Sequence, residues 1–117
     1  MSDFRQPDPV MLERVEASLS SRPVSSRKMF GTTAWFLEAN RQMFASVWGD
    51  GVCVRVGAEE ANTLVERGEA SRFDPLGGRP MREYVVVEAE ELAEDNELDA
   101  WLERGEAFAA TLALKKP

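Results

Sequence analysis

The sequence has no histidine, one cysteine (Cys53) and one tyrosine (Tyr84). Without an imidazole, mechanisms that depend on a histidine base, relay or metal ligand are excluded. A lone thiol can neither close a disulfide within the chain nor build a thiolate zinc cluster. That cysteine usage fits a reducing compartment, and a cytoplasmic location is the expectation. Long apolar runs are also missing. Stretches such as residues 43–45 and 85–87 are far shorter than the roughly 18 apolar residues of a membrane span. The opening MSDFRQPDPV contains no apolar segment, so no signal peptide and no membrane association are expected. Cations are the scarcer charge, with 14 Lys and Arg against 21 Asp and Glu and a net charge of −7. That balance disfavours attraction to phosphate backbones, and no helix-turn-helix signature offsets it, so direct nucleic-acid contact is not expected.

What is present suffices for one domain spanning residues 1–117. At 117 residues and 44% hydrophobic content, the chain can build a core without a disulfide or a metal. Its charge is uneven. Residues 83–106 hold ten acids and a single base, Arg104, whereas residues 1–57 are close to neutral. The acidic stretch reads either as a solvated helix face with an acidic loop or as a docking surface for a basic partner.

The pattern along the chain is α-ββββ-α-β-α. A helix is expected over about 8–21, with Asp8 as N-cap, Pro9 at its first position, and Met11, Leu12, Val15 and Leu19 at helical spacing. Pro23 lies just beyond it. Four strands are expected over about 27–31, 33–39, 42–48 and 51–56, rich in aromatic and β-branched residues. Their links are short. Ala39-Asn40-Arg41 offers an asparagine that tolerates positive φ, and Gly49-Asp50-Gly51 is a hairpin signal, so neighbouring strands should be antiparallel. A helix over 58–67 closes at Gly68. Residues 73–80 read as a loop, 81–88 as a fifth strand, and 95–113 as a final helix capped by Asp95 or Asn96. Gly105 within that helix costs ~1 kcal/mol relative to alanine, and either permits close packing or weakens the last turns.

Alternation assigns faces. Val52, Val54 and Val56 share the core side of their strand, and Cys53 and Arg55 share the other. In residues 34–37 both faces are apolar. The second face of the sheet is therefore expected to be partly covered, by a partner or by the chain itself.

Few residues suggest chemistry. Gly77-Gly78-Arg79 is glycine-rich but lacks the spacing of a phosphate loop, and the acidic segment lacks the spacing of an EF-hand. Glu90 and Glu91 read as solvated acids rather than an acid–base pair. Cys53 is either a small buried hydrophobe or a thiol activated by Arg55. Lys28, Arg55, Arg79, Arg82 and Tyr84 form a candidate set for an anionic ligand or partner, and Trp35, Trp48 and Tyr84 either pack in the core or offer flat aromatic area for binding. No catalytic residue, cofactor or metal site is expected.

Two stretches carry a family resemblance. The first is Arg27-Lys28-Met29-Phe30-Gly31, then Ala34-Trp35-Phe36, Met43-Phe44-Ala45 and Val52-Cys53-Val54-Arg55-Val56. The second is Phe73 and Pro75, then Pro80-Met81 and Tyr84, with Leu98 to Trp101 beyond. In this order they resemble the TfoX N-terminal-domain family, over roughly residues 8–112. Thr32 stands where that family often has a second glycine, residues 38–43 lack its usual Asp-Gly turn, and Val85 replaces a second tyrosine. The resemblance implies an α+β fold: an antiparallel sheet of about five strands with helices on one face, like the secretion-chaperone-like folds. It brings no defined catalytic residues. Relatives that regulate competence carry a second, C-terminal domain. The expectation here is a stand-alone N-terminal domain, and the resemblance leaves open whether a competence role transfers to it. Met29, Phe30 and Gly31 are expected to be structural, with Gly31 turning or bulging the chain between strands.

Two kinds of function stay open. One is a non-catalytic regulatory or protein-interaction domain, its partner unknown and a second copy of the chain, in a homodimer, one candidate. The other is a domain for a small anionic ligand, or an enzyme of unrecognised type.

Overall fold

Asp8 opens the first helix as the sequence requires. In a computed structural model describing residues 5–29 and 31–116, its carboxylate accepts from Met11 N–H at 3.3 Å, and α1 runs over Pro9–Leu19. Four strands follow: β1 (Val24–Met29), β2 (Thr32–Leu37), β3 (Met43–Trp48) and β4 (Gly51–Arg55). After them come α2 (Ala58–Glu66), a two-residue strand β5 (Ser71–Arg72), β6 (Tyr84–Val87), a 3₁₀ turn at Ala89–Leu92, and α3 (Asp95–Ala110). The strands form one antiparallel sheet in the order β1-β2-β3-β4-β6-β5. The α+β class and the single helix-covered face hold, and the strand count is six rather than five.

One face of the sheet meets all three helices. Trp35, Val47, Val52 and Val54 pack there against Val15, Leu98 and Leu102, all at most 3% exposed. A register shift enriches this face. Trp35 pairs with Ala45 but Phe36 pairs with Met43, which leaves Phe44 as an extra residue in β3. Phe44 and Ala45 therefore both join the helix-side core, where strict alternation would have sent one of them away. Gly105 lies where α3 crosses the sheet. A Cβ there would stand 2.8 Å from Phe44 O and 2.9 Å from Val54 Cγ1, so its role is close packing.

The opposite face is also apolar. Phe36, Met43, Trp48, Cys53 and Tyr84 are buried there together with Phe73. The chain supplies this cover itself. Phe73, just after β5, sets its ring edge-on to Trp48, with centroids 5.0 Å apart and planes at 86°, and Met81 packs at the margin.

Several boundaries differ from the sequence reading, each for a local reason. β1 begins at Val24, three residues early, because Val-Ser-Ser-Arg-Lys is an exposed edge with no buried face to create alternation. β5 is too short for any pattern. The cap of α3 is Glu94, not Asp95 or Asn96: Glu94 N–H donates to Glu97 Oε1 at 3.0 Å. Asp95 instead binds Arg14. In the β2–β3 connection it is Arg41, not Asn40, that takes positive φ, at 61°. Asn40 is buried and donates its amide to Ala109 O at 2.8 Å and Leu112 O at 3.1 Å, so it closes the C-terminal end of α3. Half of the acids in 83–106 are tied to bases of the chain, among them Glu88 to Arg5 and Glu103 and Glu106 to Arg22. Among the described residues no helix is long and apolar enough to cross a membrane.

Candidate functional site

The second sheet face is covered by Phe73 and its neighbours at one end only. Toward β1 and β2 it opens into two adjoining concavities of about 620 and about 440 Å³. Both contain Phe36 and Lys115, so they form one groove. Its floor is apolar and soft: Met29, Phe36, Met43, Met81 and Tyr84. Arg27, Arg41, Arg55, Arg82, Lys115 and Lys116 line it, against two carboxylates, Glu38 and Glu83. This concentrates positive charge in a chain whose net charge is −7.

Each cation has an identifiable support. Alternation in β1 turns Ser25 and Arg27 to the groove, and the Arg27 guanidinium lies 4.3 Å over the centroid of the Phe36 ring. Arg41 projects from the turn after β2. The lysines arrive from the far end of the sequence. Lys115 N–H donates to Asn40 O at 2.8 Å, and the Gln42 amide donates to Ala113 O at 2.8 Å. The β2–β3 connection thus pins the segment after α3 across the groove's end.

Arg55 is a clamp. Its Nε and Nη2 donate to Glu83 Oε1 at 2.9 and 2.7 Å, and Nη1 donates to Gln42 Oε1 at 3.0 Å and Met43 O at 3.2 Å. Its guanidinium also sits 5.4 Å from the Tyr84 ring centroid. These bonds occupy most of its donors, so it shapes the floor while Arg27, Arg41, Arg82 and the lysines stay exposed at the rim. Burial pushes the Tyr84 hydroxyl well above the usual tyrosine range, with Arg55 pulling partly back. Cys53 is 0% exposed. Burial raises its thiol far beyond the ordinary range and the Ser46 hydroxyl only partly offsets this. Arg55, committed to Glu83, does not activate it.

Of the sequence candidates, the groove brings together Arg55, Arg82, Tyr84 and Met29. Lys28 lies on β1 but alternates away from the groove-lining Arg27. Arg79 is exposed on the loop before β6, where its N–H donates to Asp74 Oδ1 at 3.2 Å, and it lines neither concavity. Trp35, at 3% exposure in the helix-side core, has no surface to offer. Gly31 takes φ 75° in the two-residue connection between β1 and β2, and Phe30 lies outside the described residues. The sequence reading did not single out Arg41, Gln42, Lys115 or Lys116 for binding. The consecutive lysines in an acidic chain were the one available signal. Among the described residues no group of three or more His, Cys, Asp or Glu side chains is placed to hold a metal ion.

These observations define an α+β domain with an open antiparallel sheet, helices on one face and a cation-rimmed groove on the other. The model of the TfoX N-terminal domain family matches residues 17–109, and the chain belongs to that family. No curated protein matches it.

Proposed function

We propose that the chain is a non-catalytic regulatory domain that recognises a protein partner through the groove on its second sheet face. The observation that carries this reading is the groove itself: an apolar floor of methionines and aromatics rimmed by exposed cations, on a protein of opposite overall charge. Apolar floors with a polar rim are the usual anatomy of a recognition surface. The chemistry nearby supports binding over turnover, since the chain has no histidine and the Cys53 thiol and Tyr84 hydroxyl are held protonated by burial. The experiment is affinity capture from the native cell with two baits, the wild-type domain and the double variant Arg41→Glu/Lys115→Glu. Both substituted side chains are exposed, so the fold should persist. A protein captured by the wild type and lost with the variant is the expected result. Equal capture by both baits would overturn the assignment of the groove.

A further inference from the structure

Among the described residues β1 is an edge strand, paired only with β2. The direction of its backbone groups follows from one bond. Glu38 N–H donates to Pro23 O at 3.0 Å, so residues 23 and 38 are a hydrogen-bonded pair. In an antiparallel ladder such pairs recur at every second residue. The pairs Ser25↔Phe36, Arg27↔Ala34 and Met29↔Thr32 therefore carry the inward bonds. The N–H and C=O groups of Ser26 and Lys28 point out of the sheet. Both residues are exposed, and among the described residues nothing pairs with these outward groups. The Val24 N–H, by contrast, is already taken by Arg22 O at 2.8 Å.

The same alternation divides the side chains. Val24 packs toward the helix-side core, while Ser25 and Arg27 line the groove. A strand added to β1 would place every second side chain on the groove side, where Arg27, Arg41, Lys115 and Lys116 gather. The geometry points to an extended acidic peptide segment of a partner protein as the occupant. It adds to β1 by main-chain hydrogen bonds and sets its carboxylates on the cationic rim. This rests on the groove being the recognition surface, and it specifies how that surface is read. Charge complementarity selects the acidic segment, and the free backbone edge selects the extended conformation. A second copy of the chain supplies it poorly, because most acids of residues 83–106 lie in or beside the 3₁₀ turn and α3, where the backbone bonds internally. Exposed cations on an edge strand also oppose pairing with another identical edge. The same cations admit a strand of opposite charge.

The probe is an N-acetylated, C-amidated octapeptide of alternating glutamate and threonine, with the lysine-for-glutamate peptide and inorganic phosphate as comparisons. Binding is followed by calorimetry and by amide chemical shifts. The glutamate peptide should bind, shift the Ser26 and Lys28 amides and slow their hydrogen exchange. The lysine peptide and phosphate should not. Ser26→Pro removes an outward N–H at a position where an edge strand tolerates proline, and should weaken binding about tenfold or more, that is, by ~1.4 kcal/mol or more. Arg41→Glu/Lys115→Glu should do the same. If circular dichroism shows Ser26→Pro misfolded, exchange protection at Ser26 and Lys28 in the wild type decides. Undiminished binding to a folded Ser26→Pro variant, equal binding of the two peptides, or no binding at all overturns the strand-addition inference. If only Arg41→Glu/Lys115→Glu loses binding, strand addition fails while the groove reading stands. If neither variant changes binding, both fail.

Discussion

Gly105 shows how a residue's surroundings reverse its intrinsic preference. Alanine is favoured over glycine in a helix by ~1 kcal/mol, yet the added methyl would press on Phe44 O and Val54 Cγ1. Since Phe44 O belongs to the sheet backbone, relief requires α3 to move. Gly105→Ala is expected to lower stability by about 1–3 kcal/mol, read as a shift in the urea midpoint. Cys53 gives a second expectation. Fully buried and held protonated, it should react with a disulfide reagent only as fast as the protein opens, and at once in denaturant. Glu106 gives a third. Burial raises its pKa above 4.5, Arg22 opposes the shift and Glu103 adds to it. The folded state then holds the proton more tightly than the unfolded chain, so the contribution to stability is most favourable below 4.5 and declines as pH rises through the raised value. Wild type should lose stability relative to Glu106→Gln across that interval, measured by thermal unfolding at each pH.

At the scale of elements, the β2–β3 connection joins two parts of the fold. Asn40 closes α3 through Ala109 O and Leu112 O and, by its own carbonyl, holds Lys115 N–H. Asn40→Ala is expected to cost about 1–3 kcal/mol by taking the amide donor from Leu112 O and from Ala109 O, which keeps Leu112 N–H, and the acceptor from Gln42 N–H. It should also weaken binding of the acidic probe, because the segment after α3 loses the Asn40 amide bond to Leu112 O, although the carbonyl that meets Lys115 N–H is retained. Thermal denaturation reads the first effect and calorimetry the second. The order of elements was legible in the sequence because most strands have a buried face and most helices an apolar stripe. The start of β1 is not legible for the opposite reason, since an exposed edge has no periodicity to detect. Local sequence makes Asn40 a residue of the turn itself, whereas its amide is spent on a helix end about seventy positions away.

At the scale of the whole molecule, charge is sorted by face. The bases Arg14 and Arg22 meet acids of α3 or its start, and the cations of the groove gather on the opposite face of the sheet. A net charge of −7 conceals this arrangement, and no count along the sequence reveals it. The alternation of Arg55 against the valines put Arg55 on the correct face. Its meeting with Arg82 and Tyr84 depends on β6 lying beside β4, and Lys115 joins through the bonds that Asn40 and Gln42 make to the segment after α3. By residue type Arg79 is as good an anion ligand as Arg82, but the Asp74 turn holds it away from the groove.

The bond between Asn40 and the end of α3 also constrains the order in which this protein is finished on the ribosome. The hairpin carrying Asn40 emerges early, but its amide has no carbonyl to meet until residues 109–112 have left the exit tunnel. Until then the valines of β3 and β4 lack the helix that covers them, and the nascent sheet stays sticky. Synonymous codons that slow translation just before residue 95 would prolong that interval and favour aggregation without altering a single side chain.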